Sequence, residues 1–337
     1  MKKTWIALGI CSALAGPALA QSSVSIYGIV DVGVTKQNGG TTPLSGGNGV
    51  TGPGGDKWDV RQAYASRLGF RGTEDLGGGL RAGFNMEMRF MPDTGAMQGT
   101  QAFFGRSVVT FGGSAGELIM GRDYLPAFYV AIAADPFSYN GIAQMGQLHT
   151  FPGYSAADGT GPVQAVRNDN QISYKSPSMG GFTTQVAYSP NEGSRGTLGR
   201  AVGGNVEYRA GALYAGVGFD QTRNNGTGHD PRLLVATMAY DFGGVRPILG
   251  YGRGRSALLD DSVDVSLGLN VTAGPGVIHA LAARLNPPGD NNTLVKYGLG
   301  YEYFLSKRTS LYADVASAKK QALTTTTGFD TGVTLRF

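Results

Sequence analysis

The chain has 337 residues, of which 55 are glycine, 16 tyrosine and 15 phenylalanine, and only 15% are charged, against roughly 25% in an average soluble domain. That composition disfavours a helical bundle and a disordered chain, and the absence of a Gly-X-Y period excludes collagen. The net charge is +4, from 28 basic against 24 acidic residues, with no basic cluster, so nucleic acid is not expected as a partner.

Residues 1–20, MKKTWIALGICSALAGPALA, read as a secretory signal peptide. Two lysines precede the apolar stretch Trp5 to Leu14, and Ala18-Leu19-Ala20 forms a cleavage site before Gln21. The stretch is too short for a membrane helix, which needs about 20 apolar residues. Cys11, inside the apolar stretch after Ile10, does not suit a lipoprotein. Cleavage removes Lys2, Lys3 and the one cysteine, leaving a near-neutral exported chain that holds itself together without disulfides.

From residue 21 to 337 a single domain is expected, and its recurring signal is period-two alternation. Leu80, Ala82, Phe84, Met86, Met88 and Phe90 alternate with Arg81, Gly83, Asn85, Glu87 and Arg89. Val263, Val265, Leu267, Leu269 and Val271 do so with Asp264, Ser266, Gly268 and Asn270. Val295, Tyr297, Leu299, Tyr301 and Tyr303 do so with Lys296, Gly298, Gly300 and Glu302. Strands are expected near 24–34, 65–74, 80–90, 104–111, 117–124, 169–176, 182–189, 202–209, 212–220, 232–241, 245–253, 262–271, 277–285, 294–304, 310–317 and 328–337. The faces are least clear in 277–285, because of His279 and Arg284.

A soluble β-sandwich also alternates, but one of this length usually carries more charge. The connections favour a membrane barrel. Short turns such as EDLGGG, GGSAG and DFGGV take turns with longer loops beginning near Thr35, Met91, Leu125, Pro190, Gln221, Gly254, Asn286 and Ala318. Outer-membrane barrels have an even strand number, short periplasmic turns and long external loops. The expected fold is therefore all-β, a 16-stranded antiparallel transmembrane β-barrel, with apolar residues towards lipid and polar ones towards a watery lumen. Glycines on the polar face would leave room for water. Tyr240, Tyr251, Tyr301 and Tyr303 are candidates for the aromatic girdle. Phe337 ends a strand that must pair with the first, so it sits at the membrane interface rather than fraying.

Enzyme chemistry is poorly supported. His149, His229 and His279 are far apart and lack metal-ligand spacing. The first two fall in expected loops, as solvated side chains. TGPGGDK at Thr51 lacks P-loop spacing, and YGRGR at Tyr251 precedes no helix. No cofactor or metal is expected. The stretch from Asp123 to Asn168 is far longer than a hairpin needs, and loops beyond roughly 12–15 residues are usually functional or disordered. It contains FYVAIAADPFSYNGIAQM, which can pack, fold inward and narrow a lumen. Asp135 and Asp158 are its acids. Arg67, Arg71, Arg81, Arg89 and Arg106 fall on lumen faces; for Arg71, Arg81 and Arg89 a solvated wall balanced by Glu74 and Glu87 is the preferred reading. A basic wall opposite an acidic loop would set a transverse field that filters solutes by charge.

SRLGFRGTEDLGGGLRAGFNMEMRF (Ser66–Phe90), SVSIYGIVDVGV (Ser23–Val34), GELIMGRDY, DPF at Asp135 and RNDNQISYKSP at Arg167 together resemble Gram-negative general porins, particularly those of β-proteobacteria. The resemblance covers the chain after the signal peptide, including its terminal Phe. It implies a homotrimer in the outer membrane, a third loop folded into each barrel, and passive diffusion of ions and small hydrophilic solutes. By position it implies a constriction of Arg67, Arg106, Arg167, Glu87 and Asp135. It implies too that Phe337 is read by the outer-membrane assembly machinery. The second acid common in the family's loop is missing from PFSYNG, and Ile29 and Ile119 stand where some relatives have a basic residue. A mild anion preference is expected from the arginines. The alternatives are a porin specific for a sugar or dicarboxylate, and a secreted soluble β-protein acting as an adhesin or lectin.

Overall fold

The computed structural model describes residues 23–44, 56–99, 101–151, 166–190, 198–257 and 260–337. The expected signal peptide, residues 1–20, and Asp158 lie outside them. The described chain forms one antiparallel sheet closed on itself. Its strands are β1 (Ser23–Gln37), β2 (Trp58–Arg61), β3 (Arg67–Gly77), β4 (Leu80–Arg89), β5 (Ser107–Gly113), β6 (Gly116–Tyr124), β7 (Arg167–Lys175), β8 (Phe182–Ser189) and β9 (Leu198–Ala210). They continue with β10 (Leu213–Asn224), β11 (Arg232–Tyr240), β12 (Val245–Arg255), β13 (Ser262–Ala273), β14 (Gly276–Asn286), β15 (Leu294–Phe304), β16 (Thr309–Lys320) and β17 (Thr326–Arg336). All sixteen expected strands are present, and β2 is a four-residue addition.

Closure is made by β1, which pairs with β17 along one edge, from Ile29↔Arg336 to Gln37↔Gly328. Along its other edge it pairs first with β3 and then with β2. Between those two partners the chain at 62–66 leaves the ladder. The Asp31 carboxylate fills the gap, accepting the N–H groups of Ala63 and Tyr64 at 2.6 and 3.0 Å. No lipid-facing edge is left between β1 and β17, and only a closed barrel satisfies every strand N–H and C=O in hydrocarbon.

Alternation sets the two faces as expected. Val217, Leu267, Leu299, Val315 and Leu335 are exposed on the outside, where lipid rather than water is their solvent. The loops are shorter than expected. β10, β12 and β16 run on past Asp220, Arg253 and Ser317 because cross-strand partners extend them, to Lys320↔Leu294 in the last case. The connection from β16 to β17 is then only residues 321–325.

The apolar core lies inside the barrel, between the wall and the inward-folded third loop. Ala134, Phe137, Ile142, Ala143 and Met145 of that loop pack with Leu281, Ala283, Leu285, Leu294 and Ala316 of the wall. This explains why β14 is apolar on both faces. Fully burying a side chain such as Ile142 contributes roughly 1.5–3 kcal/mol. The glycines of the polar face serve this packing rather than water. A Cβ at Gly218 would lie 2.6 Å from Ala127 Cα, and one at Gly298 2.6 Å from the Ala143 carbonyl oxygen.

Candidate constriction

The loop starts where β6 ends. Leu125 is extended, and Pro126 opens helix α1 (Pro126–Ile132), a position where proline's fixed φ and missing N–H cost nothing. The run LPAFYVAIAA thus contains a short helix inside the barrel. Wall residues pin it at both ends. The Asp220 carboxylate accepts the Ala127 N–H at 2.9 Å, Asn205 donates to the Pro126 carbonyl at 2.8 Å, and the Thr237 hydroxyl donates to the Val130 carbonyl at 2.8 Å. Its apolar face packs Leu125, Ala127, Val130 and Ala131 against Leu233 and Val235.

Beyond α1 the loop turns around Asp135. Its carboxylate accepts the N–H groups of Phe137, Tyr139 and Met145 at 3.0, 3.1 and 3.1 Å. This holds Ser138 and Tyr139 at φ 50° and 67°, a region that non-glycine residues rarely adopt. Asp135 is buried; expected as an acid of the constriction, it turns into the loop instead. The tip is fastened to the far wall, where Ile142 N–H donates to Asp330 at 2.8 Å.

Helix α2 (Gly146–Thr150) follows. His149, expected as a solvated side chain, is buried, with its Nδ1 2.7 Å from Asp264 Oδ2 of β13. His279 packs its ring against Phe137 at 5.4 Å. His229 remains half exposed, 3.2 Å from Asp260. The three histidines are thus separate structural contacts.

Four of the expected residues come together on the opposite wall. Glu87 receives Arg89 at 2.6 Å and Arg67 at 3.6 Å. The Tyr124 hydroxyl receives Arg167 at 2.6 Å and Arg89 at 3.2 Å, with the Arg167 guanidinium 4.2 Å above the Tyr124 ring. Three guanidiniums are thereby linked through one carboxylate and one phenol. An extra residue on β7 makes this possible: the register slips between Gly121 and Asp123, where Asn170 has φ 55°, and places Arg167 opposite Tyr124. Arg106 stands beside this group and holds Asp123 with two bonds of 2.6 and 2.8 Å.

Lumen-face carboxylates gather elsewhere, on β1 and β15 to β17. Asp314 and Asp330 are cross-strand partners, flanked by Asp31 and Glu302. Glu302 is held by Tyr64 at 2.9 Å and Arg336 at 3.1 Å. All four acids are buried, Asp330 beneath the loop tip. Period-two alternation marks each acid as lumen-facing; strand register alone brings them together. The described loop residues left partly open to the passage, including Tyr129, Ile132, Ser138 and Asn140, carry no charge. Arg67 and Arg106, by contrast, keep 23% and 27% of their side-chain surface open.

The family model for Gram-negative porins matches residues 5–323. The chain is 34% identical to outer membrane porin protein 32 of Delftia acidovorans, covering 96% of this chain and 92% of that one. It is 29% identical to an outer membrane porin protein of Bordetella pertussis, over 96% and 95%. An anion-selective porin from Comamonas acidovorans superimposes with a TM-score of 0.77 at 29% identity, over 94% of this chain and 100% of that one. With a closed barrel, an inward loop and these relatives, the chain belongs to the Gram-negative porin family and is a barrel of the outer membrane.

Proposed function

We propose that this porin passes ions and small hydrophilic solutes by passive diffusion, with a preference for anions. Arg67, Arg106, Arg167 and Glu87 line its constriction, and Asp135 shapes the loop opposite. One observation carries the sign of the preference. Among the described residues, the lumen carboxylates Asp31, Glu87, Asp123, Glu302, Asp314 and Asp330 are buried, Asp123 being 0% exposed, while the Arg67 and Arg106 guanidiniums of the facing wall stay partly open. A charge that faces the passage acts on a permeating ion, and one buried under the loop and neutralised acts less. Three guanidiniums, two on Glu87 and the third on the Tyr124 hydroxyl, add a net positive field where the passage narrows.

The reading assigns no catalytic activity and no cofactor. It includes export behind residues 1–20 and cleavage before Gln21, supported by the two lysines, the apolar stretch and Ala18-Leu19-Ala20, and assembly as a homotrimer, supported by the family resemblance. Cross-linking in native membranes, followed by electrophoresis of unheated samples, should give a three-subunit band.

Reversal potentials across a planar bilayer with a KCl gradient test the preference. The expected sign is that of chloride passing more readily than potassium, and a potential of the opposite sign rejects the proposal. A dicarboxylate-specific channel would instead show current blocked in a saturable way by millimolar dicarboxylate.

A further inference from the structure

The outer surface of the barrel is chemically different at its two ends. On β10 to β12 the turn end carries Leu213, Tyr240 and Val245, with Phe242 in the turn between β11 and β12, an apolar and aromatic rim. The loop end of the same strands carries arginines. Leu233 and Val235 pack under α1 inside the barrel, so Arg232 and Leu234 point outward. Register then places Gln221 beside Arg232, and Arg255 beside Arg232 on the other flank, with Arg253 beside Leu234. Arg223 follows two residues after Gln221, and Arg200 two residues before Val202 of β9, which is exposed on the outside and pairs with Gln221. Five arginines, at 200, 223, 232, 253 and 255, therefore crown four adjacent strands just beyond the apolar band.

These arginines are only partly neutralised. Asp261 takes Arg232 at 2.8 Å and Arg253 at 2.6 Å, and Asp230 takes Arg223 at 3.4 Å. Asp260 lies with His229 at 3.2 Å. Arg255 spends its Nε on the Asp230 carbonyl at 3.1 Å, and Arg200 is exposed. Arg223 and Arg253 still show 61% and 52% of their side-chain surface. Among the described residues, five guanidiniums against three carboxylates leave a positive excess on a lipid-facing rim. An interface with another protein would instead deplete charge at its centre. Planar guanidinium forks suit oxyanions, phosphate above all.

We infer that this rim docks the phosphate groups of a phosphorylated glycolipid in the outer leaflet, whose acyl chains then lie along Phe219, Leu234 and Tyr251. The arginines act from outside the lumen, so the surface is separate from the solute path.

Thermal unfolding of the purified full chain in detergent tests this, with bisphosphorylated lipid A, dephosphorylated lipid A or inorganic phosphate added. Bisphosphorylated lipid A should raise the midpoint by about 2–4 °C. The triple variant R200Q/R223Q/R255Q should lose at least half of that rise, while R209Q, which removes one charge from the lumen side, should keep all of it. Single-channel conductance of the triple variant should match that of the unmodified chain. An undiminished rise in the triple variant overturns the proposal, as does an equal rise with dephosphorylated lipid A. An equal rise with inorganic phosphate alone would reduce the rim to a simple anion site and overturn the lipid assignment. If the triple variant does not fold, the unmodified chain decides: its lipid-dependent rise should shrink between 0.1 and about 1 M NaCl as screening shortens to about 3 Å. A rise that ignores salt overturns the proposal.

Discussion

Gly28 and Phe337 close the barrel on each other. The Gly28 N–H donates to the Phe337 carbonyl at 3.0 Å, and the Phe337 N–H returns a bond to the Gly28 carbonyl at 3.1 Å. The ring of Phe337 lies over Gly28, in the space a side chain would need. A Cβ at Gly28 would also come within 2.5 Å of the Arg67 carbonyl oxygen, which is backbone and cannot step aside. Gly28→Val is therefore expected to destabilise the β1–β17 seam by about 1–3 kcal/mol. The check is the temperature at which the folded band disappears in electrophoresis of unheated samples. Deleting Phe337 removes both bonds, each contributing about 0.5–1.5 kcal/mol. If the residue is also read during assembly, the deletion should lower the amount of folded barrel in the membrane and leave the conductance of assembled barrels unchanged. Normal assembly without Phe337 would contradict that role.

Arg106 and Asp123 form the ion pair whose disruption should have opposite effects from its two ends. Asp123→Asn keeps the shape and frees the Arg106 charge, so anion preference should increase. Arg106→Gln, or Arg67→Gln, should decrease it. Two unit charges 4 Å apart in water interact by about 1 kcal/mol, so each change in permeability ratio should be up to about fivefold at low salt and smaller at high salt. Reversal potentials measure it. If Asp123→Asn and Arg106→Gln shift selectivity in the same direction, shape rather than charge sets the filter.

The strands were legible in the sequence because each carries its own signal: apolar residues at every second position, bounded by glycine-rich turns. The loop's inward fold was legible from its length and from apolar residues such as Phe137 and Ile142, which had to find a surface. What was not legible depends on pairing between distant strands. Nothing near Asp314 in the chain shows that Asp330 is its cross-strand neighbour. WDVR is too short to alternate visibly, yet β2 forms because β1 offers it an edge. Asp135 looked like a charge facing the passage; its three N–H donors come from a turn that exists only once the carboxylate has gathered them. His149 looked like a surface side chain because its partner, Asp264, is 115 positions away. Arg67, Arg106, Arg167 and Glu87 were legible as candidates by resemblance, and the link through Tyr124 was not.

Gly218 sets how closely α1 approaches the wall. A Cβ there would lie 2.6 Å from Ala127 Cα, so Gly218→Leu should push the helix into the passage. The expected cost is about 1–3 kcal/mol, with altered single-channel conductance and more current noise. Gly204→Ala is the matched control on the neighbouring strand, since a Cβ there would meet nothing nearer than 3.4 Å. Unchanged conductance in Gly218→Leu would mean that α1 can shift without reaching the solute path.

Asp135 should make the loop's local stability depend on pH. Burial raises its carboxyl to about 6, against the opposing pull of the Phe137, Tyr139 and Met145 N–H groups and of the Lys296 charge. In an opened loop the same group titrates near 3.8. Between those values the closed loop binds more protons than the open one, so closure is favoured at low pH and weakens as pH rises through about 6. Amide exchange at residues 137–145, corrected for intrinsic rates, should therefore slow on going from pH 7 to pH 5. Asp135→Asn keeps one acceptor oxygen and carries no titrating group, so its exchange should be faster at every pH and flat across the window. Protection that instead rises between pH 4 and pH 6 would show that the three N–H bonds favour the carboxylate more than burial opposes it.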